Sequence, residues 1–167
     1  SNTEGLNNAR ARSFIHLFLK VKFGLLQFKE REECVTDDTD DGGIDGYFID
    51  HENKKIYFIQ SKFRVSEKNF EEKNIRIEEL LNMELDRITK GETTYANGQK
   101  YNNKVQKLID KIQQIDDYPK YKENVIILAN LKEKYHDKLK PITLFPTSVY
   151  NYEKCYNELL FTVVSGT

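Results

Sequence analysis

The stretch DDTDDGGIDGYFIDHENKKIYFIQSKFR, residues 37–64, sets aspartates ahead of a turn and a glutamine with two basic residues after it. The segments IDGYFID and KKIYFIQSKF are rich in Ile, Tyr and Phe, and the HEN between them is turn-like, so the pair is expected to form a β-hairpin. A loop over residues 51–54 would put Asp50 opposite Lys55, Asp45 opposite Gln60 and Gly43 opposite Lys62. Alternation then places Asp45, Tyr47 and Ile49 on one face with Ile56, Phe58, Gln60 and Lys62. Tyr47, Ile49, Ile56 and Phe58 make an apolar floor. At its end a carboxylate, an amide oxygen and an ammonium group project together. Directly paired strand positions lie about 5 Å apart, close enough for two oxygens to hold one ion. Mg²⁺ fits such a site because it takes oxygen ligands in an octahedron and keeps several waters. Beside it, Lys62 would position or deprotonate an attacking water, or neutralise charge developing on a phosphoryl oxygen. Bound cation would also relieve repulsion in the acidic run, and Gly42, Gly43 and Gly46 would allow close backbone approach.

Positioning these groups needs a framework. Ahead of the hairpin, residues 6–28 carry Phe14, Leu17, Phe18, Val21 and Leu25 at helical spacing, widened by Ile15, Leu19 and Leu26, which predicts a buried helix. ECVTDD is read as a short first strand. Beyond the hairpin, Ile77, Leu80, Leu81, Leu85 and Ile88 predict a helix within residues 67–90 that stops before Gly91. Val105, Leu108, Ile109, Ile112 and Ile115 predict another over residues 101–116, with Pro119 past its end. NVIILAN and ITLFPT are short apolar runs suited to buried strands, and NYEKCYNELLF suits a last helix. The expected order is helix, three strands, two helices, two strands, helix: an α/β domain with a mixed sheet flanked by helices.

Bulk properties agree with a soluble single domain. The chain has 167 residues, 38% hydrophobic, 12% aromatic and 32% charged, with a net charge of −1. That composition excludes a disordered or membrane-embedded class. No apolar run nears spanning length and no secretory pattern opens the chain. With Cys34 and Cys155 alone there is no disulfide framework, so the cytoplasm is the default expectation. Ser1-Asn2 reads as a leftover of a tag, and FTVVSGT carries no terminal signal, so the expectation includes an N-terminal domain of a longer protein.

DDGGIDGYFID followed by IYFIQSK resembles the active-site hairpin of PD-(D/E)XK nucleases, in the variant with Gln before the lysine. Mrr-type restriction endonucleases share this look, and the pattern is most similar to the N-terminal nuclease-like domain of AIPR abortive-infection phage-resistance proteins. The resemblance implies a restriction-endonuclease-like αβββαβ core and a Mg²⁺-dependent endonuclease, with Mn²⁺ as substitute, cutting DNA in phage or foreign-DNA defence. It implies that Asp45 binds the metal, Gln60 takes the (D/E) position, Ser61 offers its backbone carbonyl and Lys62 is the catalytic lysine. The implied partners are nucleic acid and no membrane. A homodimer is added because it would cut both strands of a duplex most simply, and so is a C-terminal domain beyond this chain. One departure stands out. Such nucleases often add a glutamate from the first helix, and residues 6–28 contain no acid. Glu4, just before that segment, and Glu30, just after it, are candidate substitutes, and Asp41, four residues before Asp45, is a candidate compensating ligand. The alternative is a module of the same fold that binds nucleic acid, regulates or oligomerises without cutting.

Other readings carry less. Asp37, Asp38 and Asp40 are expected to form a solvated turn, with an ancillary role open for one of them. An EF-hand starting at Asp38 would put Gly42 at position five and Ile49 at position twelve, where a bidentate Glu is needed. His16 is read as a packed side chain rather than a ligand, while His51 belongs to the turn and His136 to a charged segment. Cys34 is read as a small strand hydrophobe. Lys62, Arg64, Lys68 and Lys73, and the helical series Lys100, Lys104, Lys107 and Lys111, are either a phosphate-facing surface or a solvated face, the latter being the simpler account.

Overall fold

The computed structural model describes residues 2–62, 83–131, 133–139 and 143–165. Four strands form one mixed sheet in the order β1-β2-β3-β4: β1 (Gly46–Asp50), β2 (Lys55–Ser61), β3 (Lys122–Leu128) and β4 (Thr147–Tyr150). β1 and β2 are antiparallel, with Tyr47 opposite Phe58, Ile49 opposite Ile56 and Asp50 opposite Lys55, as the hairpin loop requires. β2–β3 and β3–β4 are parallel. The central strands β2 and β3 end in continuous buried runs, the pattern of strands covered on both faces.

Each face has its own core. On one, Ile44, Tyr47, Ile56, Phe58, Val125 and Ile127 meet α3 (Leu85–Thr89) and α4 (Asn103–Gln113) through Leu85, Ile88, Val105, Leu108, Ile109 and Ile112. On the other, Ile59, Ile126, Leu128 and Tyr150 meet α1 (Asn2–Phe23) and the C-terminal helical run. α1 contributes Ile15, Phe18 and Leu19, spaced to lie on one stripe. The C-terminal run is Tyr152–Cys155, a π-helical turn Tyr156–Leu160, then Phe161–Ser165.

Several boundaries depart from the sequence reading. α1 stops at Phe23 because Gly24 takes a left-handed conformation (φ 68°) and returns its N–H to Lys20. Leu26, expected in the buried stripe, is consequently exposed. Residues 28–33 then form a short helix, α2 (Phe28–Glu33). The expected strand ECVTDD shrinks to a single bridge, Val35 to Gly46, because α2 takes its start and the acidic loop takes its end. The bridge is held by Tyr47 N–H to Cys34 O and Thr36 N–H to Asp45 O, both 2.9 Å. ITLFPT is not a strand where described: Leu144 has φ 64° and Pro146 lacks a donor, so β4 begins only at Thr147. Of the helix expected over residues 67–90, α3 is described; Ile77, Leu80 and Leu81 lie outside the described residues. α4 falls inside its expected range, capped by the Asn102 side chain, which accepts the Val105 N–H at 2.9 Å.

Candidate metal centre at the acidic end of the hairpin

The antiparallel ladder stops at Gly46, paired with Ile59. Beyond it, Asp45 brackets Gln60: its N–H donates to Ile59 O at 2.8 Å, and its Oδ2 accepts the Ser61 N–H at 2.8 Å. A carboxylate thus stands where a strand carbonyl would have been. The expected pairing of Lys62 with Gly43 does not form, because Gly42 and Gly43 (φ 67° and 76°) turn the chain away and Ile44 N–H closes on Asp41 O. Lys62 instead gives its backbone N–H to Leu128 O at 2.8 Å, and its side chain is exposed at the end of β2.

The turn brings in more acid than alternation along a strand can. Asp37, Asp41 and Asp45 each present a carboxylate oxygen, all within 4.8 Å of one another, a group that could hold a metal ion. Asp41 accepts the Gly43 N–H at 2.8 Å and shares a hydrogen bond with Asp45. Asp45 is only 7% exposed. Burial, reinforced by the neighbouring charges of Asp41 and Asp37, holds its carboxyl protonated well above the usual carboxylate range. Burial raises Asp41 as well, against the pull of its hydrogen bonds to Asp45 and Gly43. Three crowded carboxyl groups shed their last proton reluctantly unless a cation takes its place.

Gln60 lies at the same spot and is 1% exposed. Its amide nitrogen donates to Gly43 O at 3.2 Å, while its Oε1 is buried with no hydrogen-bond partner. An orphaned buried acceptor is costly in an ordinary core and matches the need of a hard cation for oxygen ligands. Ser61 sends its hydroxyl to Ala11 O at 2.9 Å, tying this corner to α1. α1 offers a base rather than an acid here: Arg12 donates to Asp37 O and pairs with Glu32, while Glu4 sits exposed in the first turn of the helix. A cleft of about 450 Å³ opens between α1 and the acidic loop, lined by Asn8, Ala9, Arg12, Asp37, Asp38 and Thr39.

The loop is clamped from the opposite side. Gly42 N–H donates to the Tyr95 hydroxyl at 3.0 Å, Glu84 N–H to Gly42 O at 2.7 Å, and the Asn102 amide to Thr36 O and Thr39 O. Asp37, expected in a solvated turn, is therefore a member of the cluster, whereas Asp38 is exposed and caps the Thr39 N–H. Sequence reasoning had a signal for Asp37, its place in the acidic run, but no means of knowing that the Val35 bridge folds it back over Asp45.

The remaining candidates lie elsewhere. His16 is packed on α2, stacked on Phe28, with Nε2 2.6 Å from Glu32 and Nδ1 3.2 Å from Arg31 Nε, as a packed side chain rather than a ligand. His51 meets the Tyr121 hydroxyl and His136 the Leu131 carbonyl. Cys34, read as a strand hydrophobe, instead ends α2 as its C-cap, and burial pushes its thiol up to about 11. Among the described residues no helix is long and apolar enough to cross a membrane. The chain matches no protein-family model, no curated protein and no solved structure.

Proposed function

We propose that this chain is a PD-(D/E)XK-type, Mg²⁺-dependent endonuclease domain that hydrolyses phosphodiester bonds of DNA, working in defence against phage or other foreign DNA. The observation that carries the reading is the conjunction at one end of the hairpin: three converging aspartates, a buried glutamine oxygen without a partner, and a lysine two residues beyond it. The wider likeness adds support. A hairpin followed by parallel strands, with helices on both faces, is the arrangement expected of a restriction-endonuclease-like core whose first strand has been reduced to a bridge.

The donor set fits a hard divalent cation. Asp45 and Asp41 would hold it, with Asp37 and the Gln60 Oε1 completing the protein's share and the Ser61 carbonyl beside them. When bound, Mg²⁺ or Mn²⁺ supplies a water of lowered pKa and neutralises charge on the scissile phosphate. Asp45 must give up its proton for this to happen. Lys62 then orients the attacking water or receives the negative charge that builds on the phosphoryl oxygen. Water adds to phosphorus, the ester P–O bond breaks, and the departing sugar oxygen takes a proton.

A second reading, a nucleic-acid-binding, regulatory or oligomerisation module that does not cut, is favoured by two features: Gln60 is neutral, and α1 brings Arg12 rather than an acid towards the cluster. Cleavage of supercoiled plasmid in Mn²⁺ separates the two. Nicking that disappears with EDTA and in Lys62→Ala is the outcome expected of the nuclease; a well-folded wild type that never cuts points to the module. The reading as a nuclease also brings the expectations of a homodimer on duplex DNA, a cytoplasmic setting and a C-terminal domain beyond this chain.

A further inference from the structure

A second cavity, of about 380 Å³, opens between α2 and α4 with the Tyr47 side chain among its walls. Its chemistry is the opposite of the acidic centre's. Lys29 enters from α2, and Lys104, Lys107 and Lys111 from α4. Lys111 is already engaged: its Nζ donates to the Tyr47 hydroxyl at 2.8 Å, and that hydroxyl reaches the Glu33 carbonyl at 3.4 Å. Lys29, Lys104 and Lys107 form no ion pair with any described residue. Of the two acids at the rim, Glu32 is committed to Arg12 and His16, which leaves the lysines in excess over Glu33.

Lys29, Lys107 and Lys111 are exposed and Lys104 is half-buried, and the four border one concavity from two helices, beside the Tyr47 hydroxyl. Converging ammonium groups recognise a phosphate as point charges and impose little base preference. The cavity also adjoins the acidic centre. Tyr47 follows Asp45 by two residues along the hairpin, a rise of about 7 Å in extended chain. Asn102, the cap of α4, bonds Thr36 O and Thr39 O on either side of Asp37, and so fixes the start of the lysine-bearing helix against the acidic loop.

We propose that the cavity between α2 and α4 grips a backbone phosphate of a nucleic-acid strand whose neighbouring phosphodiester lies at the acidic centre. The inference rests on the nuclease reading for its substrate, but not on the metal or on catalysis for its test. Lys104 and Lys107 supply the principal contacts, and Lys29 closes the opposite wall. Lys111 holds the Tyr47 hydroxyl in place.

The test is binding of a fluorescent 20-nucleotide oligonucleotide by anisotropy, in EDTA, across a salt series. It compares wild type, a Lys104→Ala/Lys107→Ala double variant and a Lys120→Ala/Lys122→Ala double variant, which removes equal charge from exposed positions outside the cavity. The expected result is a loss of affinity on the order of tenfold in the first variant, with the slope of log K against log salt falling by about 0.7 to 0.9, and little change in the second. Inorganic pyrophosphate at equal phosphate concentration should displace the oligonucleotide only weakly. Equal affinity and slope in wild type and the Lys104/Lys107 variant would overturn the proposal, as would an equal loss in both double variants. Pyrophosphate that binds tightly to a protein indifferent to the oligonucleotide would overturn the assignment to a strand. Mn²⁺ binding and plasmid cleavage are measured on the same samples. Wild-type cleavage with lysine-independent binding sinks the cavity and spares the nuclease; lysine-dependent binding without cleavage does the reverse.

Discussion

Asp45 and Asp50 stand five residues apart at the two ends of one edge strand, and the same side chain behaves oppositely at each. Asp50 is half-buried beside the hairpin turn, where the Asn53 side chain and backbone donate to it at 2.8 and 3.0 Å, pulling its carboxyl below the usual range. Asp45 lies under the acidic loop, where burial and two neighbouring aspartates push it far the other way. Donors solvate a charge; desolvation and like charges oppose it. One strand therefore carries an aspartate whose carboxyl is pulled down and another whose carboxyl is pushed up, and the difference lies wholly in what the rest of the fold places beside them.

The widest contrast should appear in catalysis. Asp45→Ala is expected to lower plasmid cleavage roughly a thousandfold or more, while Asp50→Ala leaves the rate within about twofold. Equal effects on gel-quantified nicking would erase the distinction between the two ends. Lys62→Ala should cost on the order of a hundredfold or more in the same assay, with Mn²⁺ affinity by calorimetry preserved, because the ammonium group acts on the reaction rather than on the ion.

Stability against pH gives the next contrast, and the signs are opposite. The folded pKa of Asp45 is raised, so its contribution is fully present below the unfolded carboxylate value of about 4 and is lost as pH rises through the raised value. Asp50 is lowered, so its contribution is present above about 4 and fades as pH falls through its folded value. Metal-free protein should therefore melt at a lower temperature at pH 8 than at pH 5.5, and Asp45→Asn should flatten that slope while Asp50→Asn does not. Mg²⁺ should restore the pH 8 melting point, by about 2.7 kcal/mol at one hundred times its Kd, and do little where Asp45 stays protonated. A melting point that rises with pH in the absence of metal would contradict the crowding of the three carboxyl groups.

Smaller effects sharpen the structural side. A Cβ at Gly46 would meet Ile15 Cγ2 at 2.9 Å and Cys34 O at 3.3 Å, so Gly46→Ala is expected to destabilise by about 1–3 kcal/mol in urea denaturation, through overpacking of α1 on the hairpin. Asn53→Ala, which removes one exposed donor to Asp50, should cost no more than about 0.5 kcal/mol.

Much of this arrangement was legible in the amino-acid order, where a local rule governs. A four-residue turn between two β-rich segments sets the hairpin register, and with it the faces of Tyr47, Ile49, Ile56 and Phe58. Helical spacing of Val105, Leu108, Ile109 and Ile112 sets the buried stripe of α4. Gln60 and Lys62 stand out in the sequence because a glutamine and a lysine end an otherwise apolar strand. Tertiary structure decided the rest, because those outcomes depend on contacts between residues far apart in sequence. Only packing could bend Asp37 and Asp41 over Asp45, since that depends on Tyr95, Asn102 and Glu84 clamping the loop from a distant segment. Only packing could strip water from Asp45 and Gln60, leaving one carboxyl reluctant to ionise and one amide oxygen without a partner. And only the fold could set Lys29 of α2 beside the lysine series of α4 around a single cavity, because that depends on residues far apart in sequence.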